Sequence, residues 1–130
     1  VDDGGALAVN GTAVKWNSST GSGPTLTNSG SITATGSGNR AIDMNFAAGG
    51  SGASFTLTNN AGATITSEEK DGFRINKSIG AGTVIINNDG TIQAIGPGSN
   101  NGQGMDFSGN TTTTGTVTVN NRGTISSADA

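Results

Sequence analysis

The sequence has 130 residues, of which Gly (23), Thr (19), Asn (15) and Ser (14) make up more than half, while Leu, Ile, Val and Phe together number 23. This is turn and strand chemistry, and it leaves too little large apolar volume for a wide globular core. Six Lys and Arg against nine Asp and Glu, with no His and no Cys, exclude a basic surface for nucleic acid and remove the commonest general base, thiol nucleophiles, thiolate zinc sites and disulfides.

In chain order the first strand-like segment is Ala6, Leu7, Ala8 and Val9, followed by a loop over 11–23 that contains the single Trp, Trp16. Next come Thr25, Leu26 and Thr27, then Asn28 and a turn leading to Ile32. Ala41, Ile42, Asp43 and Met44 follow, and a loop over 47–54 leads to Phe55, Thr56 and Leu57, Asn59 and Ile65. The third round reads Gly72, Phe73, Arg74 and Ile75, then Val84, Ile85 and Ile86, then Asn88 and Ile92. After a loop over 96–103, the fourth reads Gly104, Met105, Asp106 and Phe107, then a loop over 109–115, Val117, Thr118 and Val119, Asn121 and Ile125.

The phrase of Asn, Gly and Ile therefore recurs with its Ile at 32, 65, 92 and 125, spacings of 33, 27 and 33, and the second copy carries two extra residues. Each round holds three short segments of period two separated by Gly, Ser and Asn, which read as strands and turns. Equivalent segments keep the same inward pattern at a fixed period, which suits stacking of like on like rather than a sandwich or barrel. The expected architecture is an all-β parallel β-helix (β-solenoid), one domain over 1–130, with about four coils of about 31 residues and three short strands in each. It is expected to be part of a longer repeat array.

Four apolar columns follow from this phasing: Leu26, Leu57, Ile86 and Val119; Ile32, Ile65, Ile92 and Ile125; Leu7, Ile42, Phe73 and Met105; Val9, Met44, Ile75 and Phe107. The turn residues Asn28, Asn59, Asn88 and Asn121 form a structural Asn column whose amides can bond from coil to coil. Ala8, Asp43, Arg74 and Asp106 make a column of alternating charge, and Asp89 with Arg122 repeats the device at the turn; both read as register control.

Asp43 and Asp106 are the candidate paired carboxylates for glycan cleavage. A cation at Arg74 between them would hold both ionised and argues against that. Gly49, Gly50, Ser51 and Gly52 start a calcium repeat but Ser54 stands where the carboxylate should be. Outward Thr pairs suggest an ice-binding face, yet the ranks break at Ile85 and Asn87. The sequons at Asn10, Asn17, Asn76 and Asn110 are expected by chance in such a composition. No catalytic, cofactor or metal residues are assigned. The candidate partner-binding loop is the charged stretch Glu68, Glu69, Lys70, Asp71, Arg74 and Lys77, together with the long loops. Trp16 is expected to cap the stack.

The phrases LTNSGSITA, VIINNDGTIQA and VTVNNRGTISS, alternating with GMDFS and GFRIN, resemble the passenger repeats of Gram-negative autotransporter (type V secreted) proteins over essentially the whole chain. The resemblance implies a right-handed parallel β-helix, export, and display on the bacterial surface as an adhesin-like, non-enzymatic stalk. It further implies host or bacterial surface molecules, protein or glycan, as partners. The alternative is a carbohydrate-active or carbohydrate-binding β-helix. Adjacent coils of the same polypeptide, and end-to-end association of the exposed sheet edges, complete the expected contacts. No apolar run is long enough for a transmembrane helix.

Overall fold

The computed structural model describes residues 1–17, 23–45, 54–96, 102–109 and 114–128. Among them there is no helix. The strands in chain order are β1 (Ala6–Asn10), β2 (Val14–Trp16), β3 (Thr25–Asn28), β4 (Ser31–Thr35), β5 (Ile42–Met44), β6 (Phe55–Asn59), β7 (Thr64–Ser67), β8 (Phe73–Ile75), β9 (Thr83–Asn88), β10 (Thr91–Ala94), β11 (Met105–Asp106), β12 (Thr116–Asn121) and β13 (Thr124–Ser127).

They form three sheets, each built from every third strand: β1-β4-β7-β10-β13, β2-β5-β8-β11 and β3-β6-β9-β12. Every pairing is parallel. This is a parallel β-solenoid of four three-strand coils, with β13 opening a fifth. Parallel pairing places equivalent residues one strand spacing apart, about 4.8 Å, so the repeat in the sequence becomes a column in space.

The register reproduces two of the expected columns without change. Leu26 faces Leu57, Leu57 faces Ile86 and Ile86 faces Val119. Ile32, Ile65, Ile92 and Ile125 are likewise neighbours in successive strands.

The other two columns need correcting in the first coil. Leu7 pairs with Ile32 and Val9 with Ala34, so both belong to the β4 sheet. Val14 and Trp16 of β2 stand opposite Ile42 and Met44 instead. The sequence phasing treated 11–23 as one loop and so missed β2, because a Gly, a Thr and an Ala precede it and the strand is only three residues long. Phe107 lies just past β11, but its ring meets Phe73 edge to face at 6.2 Å, and Phe73 stacks on Phe55 at 6.4 Å.

The interior is thin and continuous. Ile32, Ile42, Met44, Leu57, Ile65, Phe73, Ile75, Val84, Ile86 and Ile92 are all fully buried. Burial falls away at both ends, where Leu7, Val14, Trp16 and Leu26 on one side and Met105, Phe107 and Val117 on the other are only partly covered. Ile79 is also fully buried; isolated in the polar run NKSIGAG, it carried no periodic signal.

The turn from the β3 sheet into the β4 sheet explains the Gly of the repeated phrase. A Cβ on Gly90 would lie 2.2 Å from the Ala63 carbonyl oxygen and one on Gly123 2.0 Å from that of Gly90. The coils approach so closely there that no side chain fits. In the second copy the two extra residues carry the chain around Gly62, which adopts a φ of 81°, and Ala63 takes the place of the Gly.

Candidate functional site

The Asn column is a hydrogen-bonded ladder. Asn28 Nδ2 donates to Asn59 Oδ1 at 2.9 Å, Asn59 to Asn88 at 2.8 Å and Asn88 to Asn121 at 2.8 Å. The same three amides also donate to the carbonyls of Thr64, Thr91 and Thr124, at 3.0, 3.2 and 3.1 Å. Asn28, Asn59 and Asn88 are fully buried, so these bonds offset the desolvation of each amide. A second ladder went unnoticed in the sequence: Asn76 donates to Asn45 at 3.1 Å and Asn45 to Asn17 at 3.0 Å. Asn120 and Asn87 form a third rung pair at 2.9 Å. Asn17 and Asn76, two of the sequon residues, are therefore engaged between coils.

The charge column runs Lys15, Asp43, Arg74, Asp106. Lys15 replaces the expected Ala8, which pairs with Thr33 instead, so the alternation of sign extends through all four coils. Arg74 holds Asp43 with two hydrogen bonds, from Nε at 3.0 Å and Nη2 at 3.1 Å. Asp106 accepts from the Ser108 amide at 2.7 Å. Arg74 stands between Asp43 and Asp106 in the register, one strand from each.

A second buried pair was missed. Arg40 Nε donates to Asp71 at 2.7 Å, and Asp71, 3% exposed, also accepts from the Gln103 amide at 3.1 Å. Arg40 lies in a Gly-rich turn and Asp71 in the charged stretch, 31 residues on, which is one coil period; that spacing was the available signal. At the turn, Arg122 donates to Asp89 at 2.7 Å on the exposed surface. The hydrogen bond to Asp89, and then its negative charge, raise the Arg122 guanidinium above its ordinary value. A raised value favours the folded state below the ordinary arginine range, so whatever the exposed pair contributes is present and constant at neutral pH and is lost only in strongly alkaline solution.

The six residues of the charged stretch do not converge. Asp71 pairs with Arg40, and Arg74 with Asp43. Glu69 accepts from the Gly38 amide at 3.2 Å, and the Glu69 and Lys70 amides donate to Ser67 Oγ at 3.4 and 2.9 Å. Glu68 and Lys77 are exposed. The Asn110 sequon, the glycines of the calcium-like stretch and most of the long loops lie outside the described residues.

The outward Thr ranks run Thr25, Thr56, Ile85, Thr118 and Thr27, Thr58, Asn87, Asn120, so the breaks in the third coil stand. Among the described residues no three acidic or His and Cys side chains gather as a metal site would require. A shallow groove of about 300 Å³ lies along the turns of the first coils, lined by Asp3, Ser29, Ser31 and Thr64 and by glycine backbone; it brings hydroxyls together with one carboxylate. Among the described residues no helix is long and apolar enough to cross a membrane.

Comparison with known proteins returned no matching family model, curated protein or solved structure.

Proposed function

We propose that this chain is a non-enzymatic, structural and adhesive β-solenoid segment of a secreted or outer-membrane-displayed Gram-negative bacterial protein. Its coils would space loops away from the cell for attachment to host or bacterial surface molecules. The observation that supports this reading best is the use made of the ionisable and amide side chains. Asp43, Arg74, Arg40 and Asp71 are bound to one another between coils, as are the Asn ladders, so the polar groups serve length and register rather than a reacting centre. The likeness of the repeat phrases to autotransporter passengers points the same way. Beads coated with the purified chain should be retained by epithelial cells, bacterial cells or an array of surface glycans and proteins. Failure to bind any of them, or release of sugar from a glycan, would overturn the reading.

A further inference from the structure

The turns that lead into the β1 sheet come in two lengths, and their order leaves a gap. Two residues, Ser29 and Gly30, join β3 to β4, and later coils use the equally short Asp89 with Gly90 and Arg122 with Gly123. Four residues, 60–63, join β6 to β7. The turn into β1 is also long: the Ser29 amide donates to the Val1 carbonyl as the Asn60 amide does to that of Asn28, so residues 2–5 correspond to 60–63. The two long turns are built alike. Gly5 donates to the Asp2 carbonyl at 2.9 Å and Ala63 to that of Asn60 at 3.0 Å, and Gly4 and Gly62 take matching left-handed φ angles of 71° and 81°. They stand about 10 Å apart, two strand spacings, with the short turn 29–30 recessed between them. That recess is the groove of about 300 Å³. We propose that it binds a neutral sugar unit of a surface glycan, which rests on the attachment reading and gives it a ligand class and a place.

The groove lies along the side of the solenoid. Its lining comes from three successive turns and the strand starts that follow them, so coils stacked beyond either end extend the row of turns without closing it.

The chemistry of the lining selects the ligand. Four of the eight lining residues are glycines, three carry hydroxyls and one is Asp3, so no apolar wall receives a hydrophobic side chain. A peptide strand has no amides to pair with. Those of Gly5, Ser29, Ser31 and Thr64 already donate to the carbonyls of Asp2, Val1, Gly5 and Gly30, and that of Gly30 donates to Asn28 Oδ1 at 3.3 Å, which excludes strand addition here. Asp3 is exposed and in no ion pair among the described residues. Its charge, with that of Asp2 beside it, repels phosphate and sulfate groups. A ligand rich in hydroxyls remains. The Asp3 carboxylate can accept two adjacent sugar hydroxyls in charge-assisted hydrogen bonds. Ser31 and Thr64 follow one another in an outward rank, and Ser29 Oγ, which accepts from Asn60 at 2.7 Å, retains its own proton to donate. The glycine floor lets a sugar ring lie directly against backbone. An open, polar groove holds such a ligand weakly, in the millimolar range.

The test is a titration of the isotopically labelled chain, followed by two-dimensional amide NMR, with cellohexaose, maltohexaose, chitohexaose and mannohexaose, and separately with a hexalysine peptide. At least one sugar should shift the amides of Gly4, Gly5, Ser31, Gly62 and Thr64 in a saturable way. Those of Asp89 and Gly90, whose short turn has a long neighbour on one side only, should stay in place. Asp3→Asn should weaken the binding roughly tenfold through loss of charge-assisted bonds. Replacing residues 60–63 by Ser-Gly, the sequence of the short turn, should abolish it by removing one wall. Asp3→Asn changes an exposed side chain and leaves the fold intact, so its result stands even where the shortened turn does not fold. Shifts with none of the sugars, shifts that Asp3→Asn leaves unchanged, or shifts with hexalysine alone would overturn the proposal. Beads that still adhere to cells alongside any of these outcomes would place attachment elsewhere on the chain, which separates failure of the groove from failure of the adhesive reading.

Discussion

Arg74 grips Asp43 through two nitrogens, at 3.0 and 3.1 Å, across one strand spacing, with the Asp43 side chain 7% exposed and that of Arg74 16%. The pair converts sequence period into register: a slip of one residue in β8 against β5 would break both bonds and leave Asp43 unpaired in a mostly dry position. Arg74→Ala should therefore lower the unfolding free energy by about 2 to 4 kcal/mol, most of it the cost of stranding the carboxylate. Asp43→Asn combined with Arg74→Gln should cost less than the single Arg74→Ala change. Urea titration followed by circular dichroism compares them, and a double variant as unstable as the sum of its singles would contradict the coupling. Arg122→Ala, on the exposed turn, should leave the urea midpoint unchanged.

The Asn ladder predicts a gradient rather than a uniform effect. Asn59 is fully buried, bonded to Asn28 and Asn88 and to the Thr91 carbonyl, so Asn59→Ala removes bonds on both sides and leaves buried groups unsatisfied, at about 1 to 3 kcal/mol for each group stranded. Asn121 is exposed and donates onward only to the Gly123 carbonyl, at 3.2 Å. Asn121→Ala should cost under about 1 kcal/mol, because water replaces what is lost. Equal losses in the two variants, measured by thermal or urea unfolding, would mean that the buried ladder contributes nothing beyond its turn geometry.

The same gradient holds for the apolar columns. Ile92 is fully buried between Ile65 and Ile125, and Ile92→Ala should destabilise by roughly 2 to 5 kcal/mol, the transfer and cavity terms together. Ile125 lies one strand further out and is only half-buried, so Ile125→Ala should cost well under half as much.

Glycines of the repeat separate into two kinds. At Gly90 an added Cβ would meet the Ala63 and Asn60 carbonyl oxygens at 2.2 and 2.5 Å, a collision that only a backbone shift can relieve. At Gly62 nothing lies within 4 Å, and the obstacle is the φ of 81° alone, worth about 1 to 2 kcal/mol for a residue with a Cβ. Gly90→Ala should therefore be the more damaging change, and should depress protection of the Thr91 amide, which donates to the Ala63 carbonyl at 2.9 Å.

The fold was legible because a solenoid writes its neighbours into its own repeat. The recurring Asn and Ile gave the correct partners in every coil, and a column inferred from spacing became a strand register. What failed was the first coil, where the interval from Leu7 to Ile32 is 25 residues rather than 33. There a three-residue strand carrying Lys15 and Trp16 was hidden inside apparent loop. The Asp71 pair escaped because a buried carboxylate and a solvated one look alike in a charge run; only the 31-residue interval to Arg40 distinguishes them. The candidate binding stretch read as one patch in sequence because six charges fall within ten residues. Alternation along β8 and its flanks sends Asp71 and Arg74 to separate partners in the neighbouring coil.

Amide hydrogen exchange on the intact chain draws these relationships together. Each interior strand is bonded on both edges and each end strand on one. β6, β7, β9 and β10 also carry the fully buried Leu57, Ile65, Ile86 and Ile92. Their amides should exchange through the largest openings, with free energies approaching that of global unfolding. Those of β1, β2, β12 and β13, whose apolar residues are half-exposed, should exchange through local release of an end coil. The order expected is protection rising from either end to a maximum across β6–β10, because stability in a stacked repeat is a sum of contacts between neighbours. A flat profile would mean that the chain opens as one unit, and the graded costs expected for Asn59 against Asn121 and for Ile92 against Ile125 would then collapse together.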